Sequence, residues 1–187
     1  MLVLIGWWWC CLAIGGCEVG KGEGDISGTM FVEECGLEGD YNLDPSFFVA
    51  EDREERLDIV MQRGSAAQIR SDGMFVLVTD TNEVFNQWLN KPIAIDDEAD
   101  SLVQIIFYLH ESCELKWGGT PVSLSAISGT IVFEDIYAPE QNDSEDISAT
   151  LTDVKLEDPS KPDERYGTLG GYFRFAFSRG RPAQRFP

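Results

Sequence analysis

Between Tyr172 and Ser178 apolar and polar side chains alternate residue by residue, so that Phe173, Phe175 and Phe177 share one face and Arg174 and Ser178 the other. Successive side chains of an extended strand point to opposite sides of a sheet, whereas a helix would need apolar spacings of three and four. The segment therefore predicts a half-buried strand with an aromatic inner face. The same period recurs at residues 26–35, 57–62, 75–79, 102–111, 129–136 and 147–156. Turn formers separate these runs: Ser71-Asp72-Gly73, Gly118-Gly119 and Gln141-Asn142-Asp143. The unbroken apolar run Ile105-Ile106-Phe107-Tyr108-Leu109 reads as a central strand covered on both sides.

Helical spacing occurs at residues 80–90, where Val84 pairs with Trp88 and Phe85 with Leu89, Asp80 and Glu83 suggest a capping box, and Pro92 stops the run. A weaker helical stretch follows Pro45. No series of helices alternates with the strands, which argues against a parallel α/β sheet. The expected fold is all-β: an antiparallel β-sandwich of about seven or eight strands with one or two short helices. Two nonapeptides, Ile26-Ser27-Gly28-Thr29-Met30-Phe31-Val32-Glu33-Glu34 and Ile127-Ser128-Gly129-Thr130-Ile131-Val132-Phe133-Glu134-Asp135, are nearly the same. Little else aligns at that offset, so they read as two strands with similar entries rather than as a duplicated half.

From Leu2 to Gly16 there is no charge. This apolar stretch has the length of a secretory signal and is shorter than the roughly 20 residues of a spanning helix. It ends in Ile14-Gly15-Gly16-Cys17, which resembles the bacterial lipobox. The resemblance implies cleavage before Cys17, diacylglycerol on the Cys17 sulfur and a free or acylated amine at the new terminus. Two or three acyl chains, at roughly 0.8 kcal/mol per buried methylene, make a firm anchor. Residues 1–16 are thus expected as a signal peptide, and residues 17–25, with three glycines among charges, as a flexible tether. A single domain is expected over residues 26–187, including a basic C-terminal tail.

Of five cysteines, Cys10 and Cys11 would leave with the signal and Cys17 would carry lipid. Cys35 and Cys113 remain, in an oxidising compartment, and are expected to form a disulfide. In the chain-entropy account a loop of that length gives about 4.5 kcal/mol. All 33 acidic and 14 basic residues follow Cys17, so the net charge of −19 falls on the mature part. Such a surface repels phosphate backbones, which excludes nucleic acid as a partner.

The one histidine, His110, lies in His110-Glu111-Ser112-Cys113-Glu114, which lacks the second histidine of a zinc protease motif, and no Gly-x-Ser-x-Gly occurs. It reads as a strand residue beside the disulfide, and no catalytic residue is assigned. Asp96, Asp97 and Asp100, and Asp143 and Asp146, lie in loop-like sequence where carboxylates could converge on calcium, but neither group has the spacing or glycine of an EF-hand. No cofactor is otherwise indicated. After Glu164 the chain has no acid and carries Arg165, Arg174, Arg179, Arg181 and Arg185. Such a tail can clamp onto the acidic body through arginine–carboxylate pairs or reach an anionic partner.

The lipobox, the acidic β-rich body, the two mature cysteines and the terminal Arg179-Gly180-Arg181-Pro182-Ala183-Gln184 together resemble cell-envelope lipoproteins of myxobacteria and related bacteria. The resemblance implies an envelope location, with the outer membrane preferred over the inner, and brings no particular chemistry. The expected role is non-enzymatic binding or assembly at the membrane surface, toward an envelope protein or glycan. The alternative is a calcium-dependent or carbohydrate-directed module, or a hydrolase, using loop carboxylates.

Overall fold

The structure is a computed structural model and describes residues 20–64, 70–113 and 122–177. Cys17 and the lipobox, Gly118-Gly119 and the arginine-rich end from Ser178 onward lie outside the described residues. The strands are β1 (Gly22–Val32), β2 (Leu37–Asn42), β3 (Phe47–Arg53), β4 (Arg56–Gln62), β5 (Gly73–Val78), β6 (Ile93–Ile95), β7 (Val103–Leu109), β8 (Val122–Asp135), β9 (Asp146–Glu157) and β10 (Arg165–Ala176). They form one sheet in the order β2-β1-β10-β9-β8-β7-β5-β4-β3, with β6 added beside β8. The pairings are antiparallel.

The sheet curls until its far side returns to its start. The Phe48 N–H of β3 donates to the Gly20 carbonyl just before β1 at 3.1 Å. Across this seam the Phe48 ring stacks on Phe175 of β10, centroids 5.6 Å apart. Period-two alternation explains the curl, because each strand turns one apolar row inward: Ile26, Met30 and Val32 on β1, Val103, Ile105, Phe107 and Leu109 on β7, Phe173 and Phe175 on β10. Phe48, Phe107, Phe133 and Phe173 are fully buried and fill the interior. Each contributes roughly 1.5–3 kcal/mol by leaving water.

Several expectations need correction. The stretch after Pro45 is strand β3, not helix: Phe47, Phe48 and Ala50 are buried and the strand pairs along β4 from Phe47↔Gln62 to Arg53↔Arg56. Residues 22–25, read as tether, are strand, held from Gly22↔Phe175 to Asp25↔Tyr172. The run 105–109 is covered on one side only, since Ile106 is 40% exposed. The expected helix at 80–90 is a short turn, Thr81–Glu83, continuing as a π-helix, Val84–Trp88. The Asp80 carboxylate caps it by accepting the Glu83 N–H at 2.7 Å. Glu83 does not close a reciprocal box; its side chain accepts the Trp88 indole N–H at 3.2 Å.

The two similar nonapeptides lie on β1 and β8, and their glycines do related jobs. A Cβ on Gly28 would meet the Thr168 carbonyl of β10 at 2.0 Å, and one on Gly129 would meet Val154 Cα of β9 at 2.7 Å. Gly129 also has φ +139°, a conformation side chains rarely adopt. Both glycines lie close to register shifts, at Leu169/Gly171 in β10 and at Ser128/Thr130 in β8. They let long strands bend against a neighbouring backbone, as bulged strands in curved sheets do.

Candidate functional site

Antiparallel register gathers the ends of β1, β4, β7 and β9 with the starts of β5 and β10. Here Asp72, fully buried, precedes β5. Its Oδ1 accepts the backbone N–H groups of His110, Glu111 and Ser112 at 2.8, 2.9 and 3.0 Å. Its Oδ2 accepts the Tyr41 hydroxyl at 2.8 Å and the Ser112 hydroxyl, with Arg63 Nη1 at 3.8 Å. Burial alone would raise this carboxyl, but the Ser112 hydroxyl, the Ser112 and His110 N–H groups and the Tyr41 hydroxyl outweigh it and hold it below the usual carboxylate range. Burial first, then the Asp72 charge, push the Tyr41 phenol up. Arg63 also donates to the carbonyls of Leu43 and Asn42, and its guanidinium lies 5.8 Å from the Tyr41 ring centroid. With its acceptor sites used and no exposed surface, Asp72 is a fastening point for loop 110–113 rather than a reacting group.

The same loop carries Cys113, bonded to Cys35 with Cα atoms 4.9 Å apart. Beside Cys35, Arg165 bridges Glu34 and Asp158, its contact to Asp158 measuring 2.5 Å. The Arg165 hydrogen bond holds the Glu34 carboxyl below its ordinary value, and the Ser160 hydroxyl, ahead of Arg165, does so for Asp158. His110 therefore serves this end through its backbone N–H.

The calcium candidates are not brought together. Asp96 accepts the Glu98 N–H within its own loop at 3.1 Å, and the Asp146 N–H donates to Ser144 Oγ at 3.2 Å. Asp97, Asp100 and Asp143 are exposed. Among the described residues no three His, Cys, Asp or Glu side chains converge to hold a metal ion. Among them, too, no helix is long and apolar enough to cross a membrane.

Accessible chemistry lies instead on the outer face of β1, β10, β9 and β8. Register sets Glu23 opposite Arg174, Arg174 opposite Ser148, and Ser148 opposite Asp135, in one row across four strands. In the next row Asp25 faces Tyr172 and Tyr172 faces Thr150. Between these rows lies a depression of about 340 Å³ walled by Glu23, Glu134, Asp135, Ser148, Tyr172 and Arg174. Tyr172 is 47% exposed. Thr150 donates its hydroxyl to Glu134 at 2.8 Å, whereas Glu23, Asp135 and Arg174 form no ion pair with any described residue. Farther along β10 a second depression, of about 260 Å³, is bounded by Thr29, Phe31, Glu38, Tyr166 and Thr168. Phe31 and Tyr166 stack there with centroids 5.0 Å apart.

Neither feature was found from the sequence. Asp72 appeared only as a turn former, although a buried-strand run starting directly after an Asp is a signal that its carboxylate has partners to find. The outer row needed strand register, which composition does not carry. Comparison of the chain with protein-family models, with curated proteins and with solved structures finds no match.

Proposed function

We propose that this chain is a lipid-anchored protein of the bacterial cell envelope, held to the membrane through Cys17, with a non-enzymatic binding or assembly role. The observation that carries the binding role is the division of the molecule: aromatic side chains fill the interior, while Tyr172 and the row Glu23, Arg174, Ser148 and Asp135 stand on the outer face. A partner is met on that face, not in an internal cavity. The anchor is supported by the lipobox-like Ile14-Gly15-Gly16-Cys17, and the outer membrane is the preferred site. The two arms of the curled sheet, joined through the Phe48–Phe175 stack, are read as the layers of a β-sandwich.

Carbohydrate is the second reading, favoured by one observation: exposed Tyr172 and Tyr166 lie on the same face as Thr29, Ser148, Thr150 and Thr168. Aromatic rings offer apolar faces to sugar rings, and hydroxyls and carboxylates orient them.

Detergent-phase partitioning tests the anchor. The native protein is expected in the detergent phase with a lipid-sized mass increment on Cys17, and Cys17→Ser in the aqueous phase; unchanged partitioning and mass would remove it. A crosslinker placed at Tyr172 on intact cells tests the face, with the same group at Arg53 as control. Equal labelling from both positions would count against a binding role for the outer row.

A further inference from the structure

We propose that the depression beside Tyr172 is a guanidinium site whose occupant is the arginine segment 179–185 of the same chain. The inference adds a cover to the face assigned above to binding and does not depend on the membrane anchor.

Charge is the first argument. The depression is lined by the three carboxylates of Glu23, Glu134 and Asp135 against one guanidinium, Arg174. Glu23 and Asp135 have no ion-pair partner among the described residues. The second argument is Ser148. It is only 9% exposed, it stands between the inward-facing Ile147 and Ala149 and so faces outward, and it lines the depression. No hydrogen bond of its hydroxyl is formed with a described residue. A hydroxyl on a nearly buried residue that opens onto the depression, two free carboxylates and an exposed ring make a site for a planar, weakly hydrated cation with several donors and a stacking face. Arginine has those properties and lysine lacks most of them.

The third argument is reach. Phe177 stacks on Tyr137 with centroids 4.0 Å apart, and its N–H donates to the Glu145 carbonyl at 2.5 Å. The described chain therefore leaves β10 beside Tyr137, two residues beyond Asp135 at the end of β8. Ser178-Arg179-Gly180-Arg181-Pro182-Ala183-Gln184-Arg185 follows, with three arginines and no acid. An extended chain covers about 14 Å from Phe177 to Arg181, while Arg174 lies roughly 10 Å back along its strand. A short tether also gives its own arginines an effective concentration near millimolar, ahead of a free basic peptide of equal intrinsic affinity.

Trypsin tests this on the full chain, through the rates of cleavage at Arg179–Gly180 and Arg185–Phe186 followed by mass. At low salt these bonds should be cut about tenfold more slowly than in a synthetic peptide of residues 178–187, as expected if two or three exposed pairs act together. Protection should vanish at about 1 M salt, where charges are screened beyond about 3 Å. It should vanish as well in Glu23→Gln/Asp135→Asn and fall in Ser148→Ala, with thermal midpoints unchanged. Cleavage at the peptide's rate in the native chain would overturn the proposal. Protection that survives in the double variant would overturn the site, and protection that grows with protein concentration alongside a dimer mass would make the occupant a second copy's tail and overturn the assignment to the same chain. Failure of membrane partitioning bears on the proposed function alone; crosslinking at Tyr172 that is weak at low salt and appears at about 1 M salt is the tail's cover, and crosslinking absent at both counts against the binding role.

Discussion

Asp72 and Asp135 are both carboxylates at the end of strand sequence, and they are treated in opposite ways. Asp72 accepts from three backbone N–H groups and two hydroxyls and is sealed from water. Asp135 stands at the outer surface, opposite Ser148 in register, with no ion-pair partner among the described residues. A buried charge persists only when its partners replace the lost water, whereas a surface charge carries little stability and stays available. The end of the sheet around Asp72, Cys35–Cys113 and Arg165 is thus where the fold is fastened. The row around Asp135 and Tyr172 is where contact with something else costs the fold least.

Three measurements would break or sharpen that contrast. The largest effect is expected from Cys35→Ser/Cys113→Ser, which releases a link between residues 78 apart in sequence. The loss should be about 4 kcal/mol in urea melts, and a loss below about 1 kcal/mol would show that Asp72 and Arg165 hold this end without it.

Asp72→Asn should cost about 3 kcal/mol, because an amide leaves hydroxyl donors facing a donor. The pH dependence has a definite sign. The folded carboxyl lies below its unfolded value, so its contribution is complete above about pH 4, and is lost as pH falls through the lower folded value. Native protein should therefore show an acid limb that Asp72→Asn lacks in part. Parallel stability curves for the two proteins between pH 2 and pH 5 would mean that Asp72 is not the fastening charge.

The smallest effect is expected on the other side: Asp135→Asn and Tyr172→Ala should each change stability by no more than about 0.5 kcal/mol. A loss of about 2 kcal/mol or more from either would make the outer row part of the fastening system and erase the distinction.

How much of this was readable follows from what each strand buries. On β10, Phe173 and Phe175 point inward and Tyr172 and Arg174 outward, so alternation is visible in the residues themselves. β2 buries one residue, Tyr41, among Glu38, Gly39 and Asp40, and β6 is three residues long, so neither has a period to detect. In β3 the consecutive residues Phe47 and Phe48 are both buried, which breaks alternation and mimics a helical start. Ile106 misleads in another way: an unbroken apolar run reads as doubly covered, but Ile106 itself is 40% exposed. Both regions depend on long-range pairing. Tyr41 and Ser112 are 31 and 40 residues from Asp72, and the row Glu23, Arg174, Ser148 and Asp135 draws on four strands.

The seam at Gly20 and Phe48 bears on how copies of this protein tolerate one another. An open sheet offers a row of unmet backbone groups on each side, and a neighbour's strand can continue the ladder. Here the β3 side is met by the chain's own Gly20, and β2, on the other side, is six residues long with exposed Glu38 and Asp40. Two such edges brought together would set carboxylate against carboxylate. A concentrated population of these molecules can therefore remain a population of separate molecules, each meeting the next through side chains and none extending another's sheet.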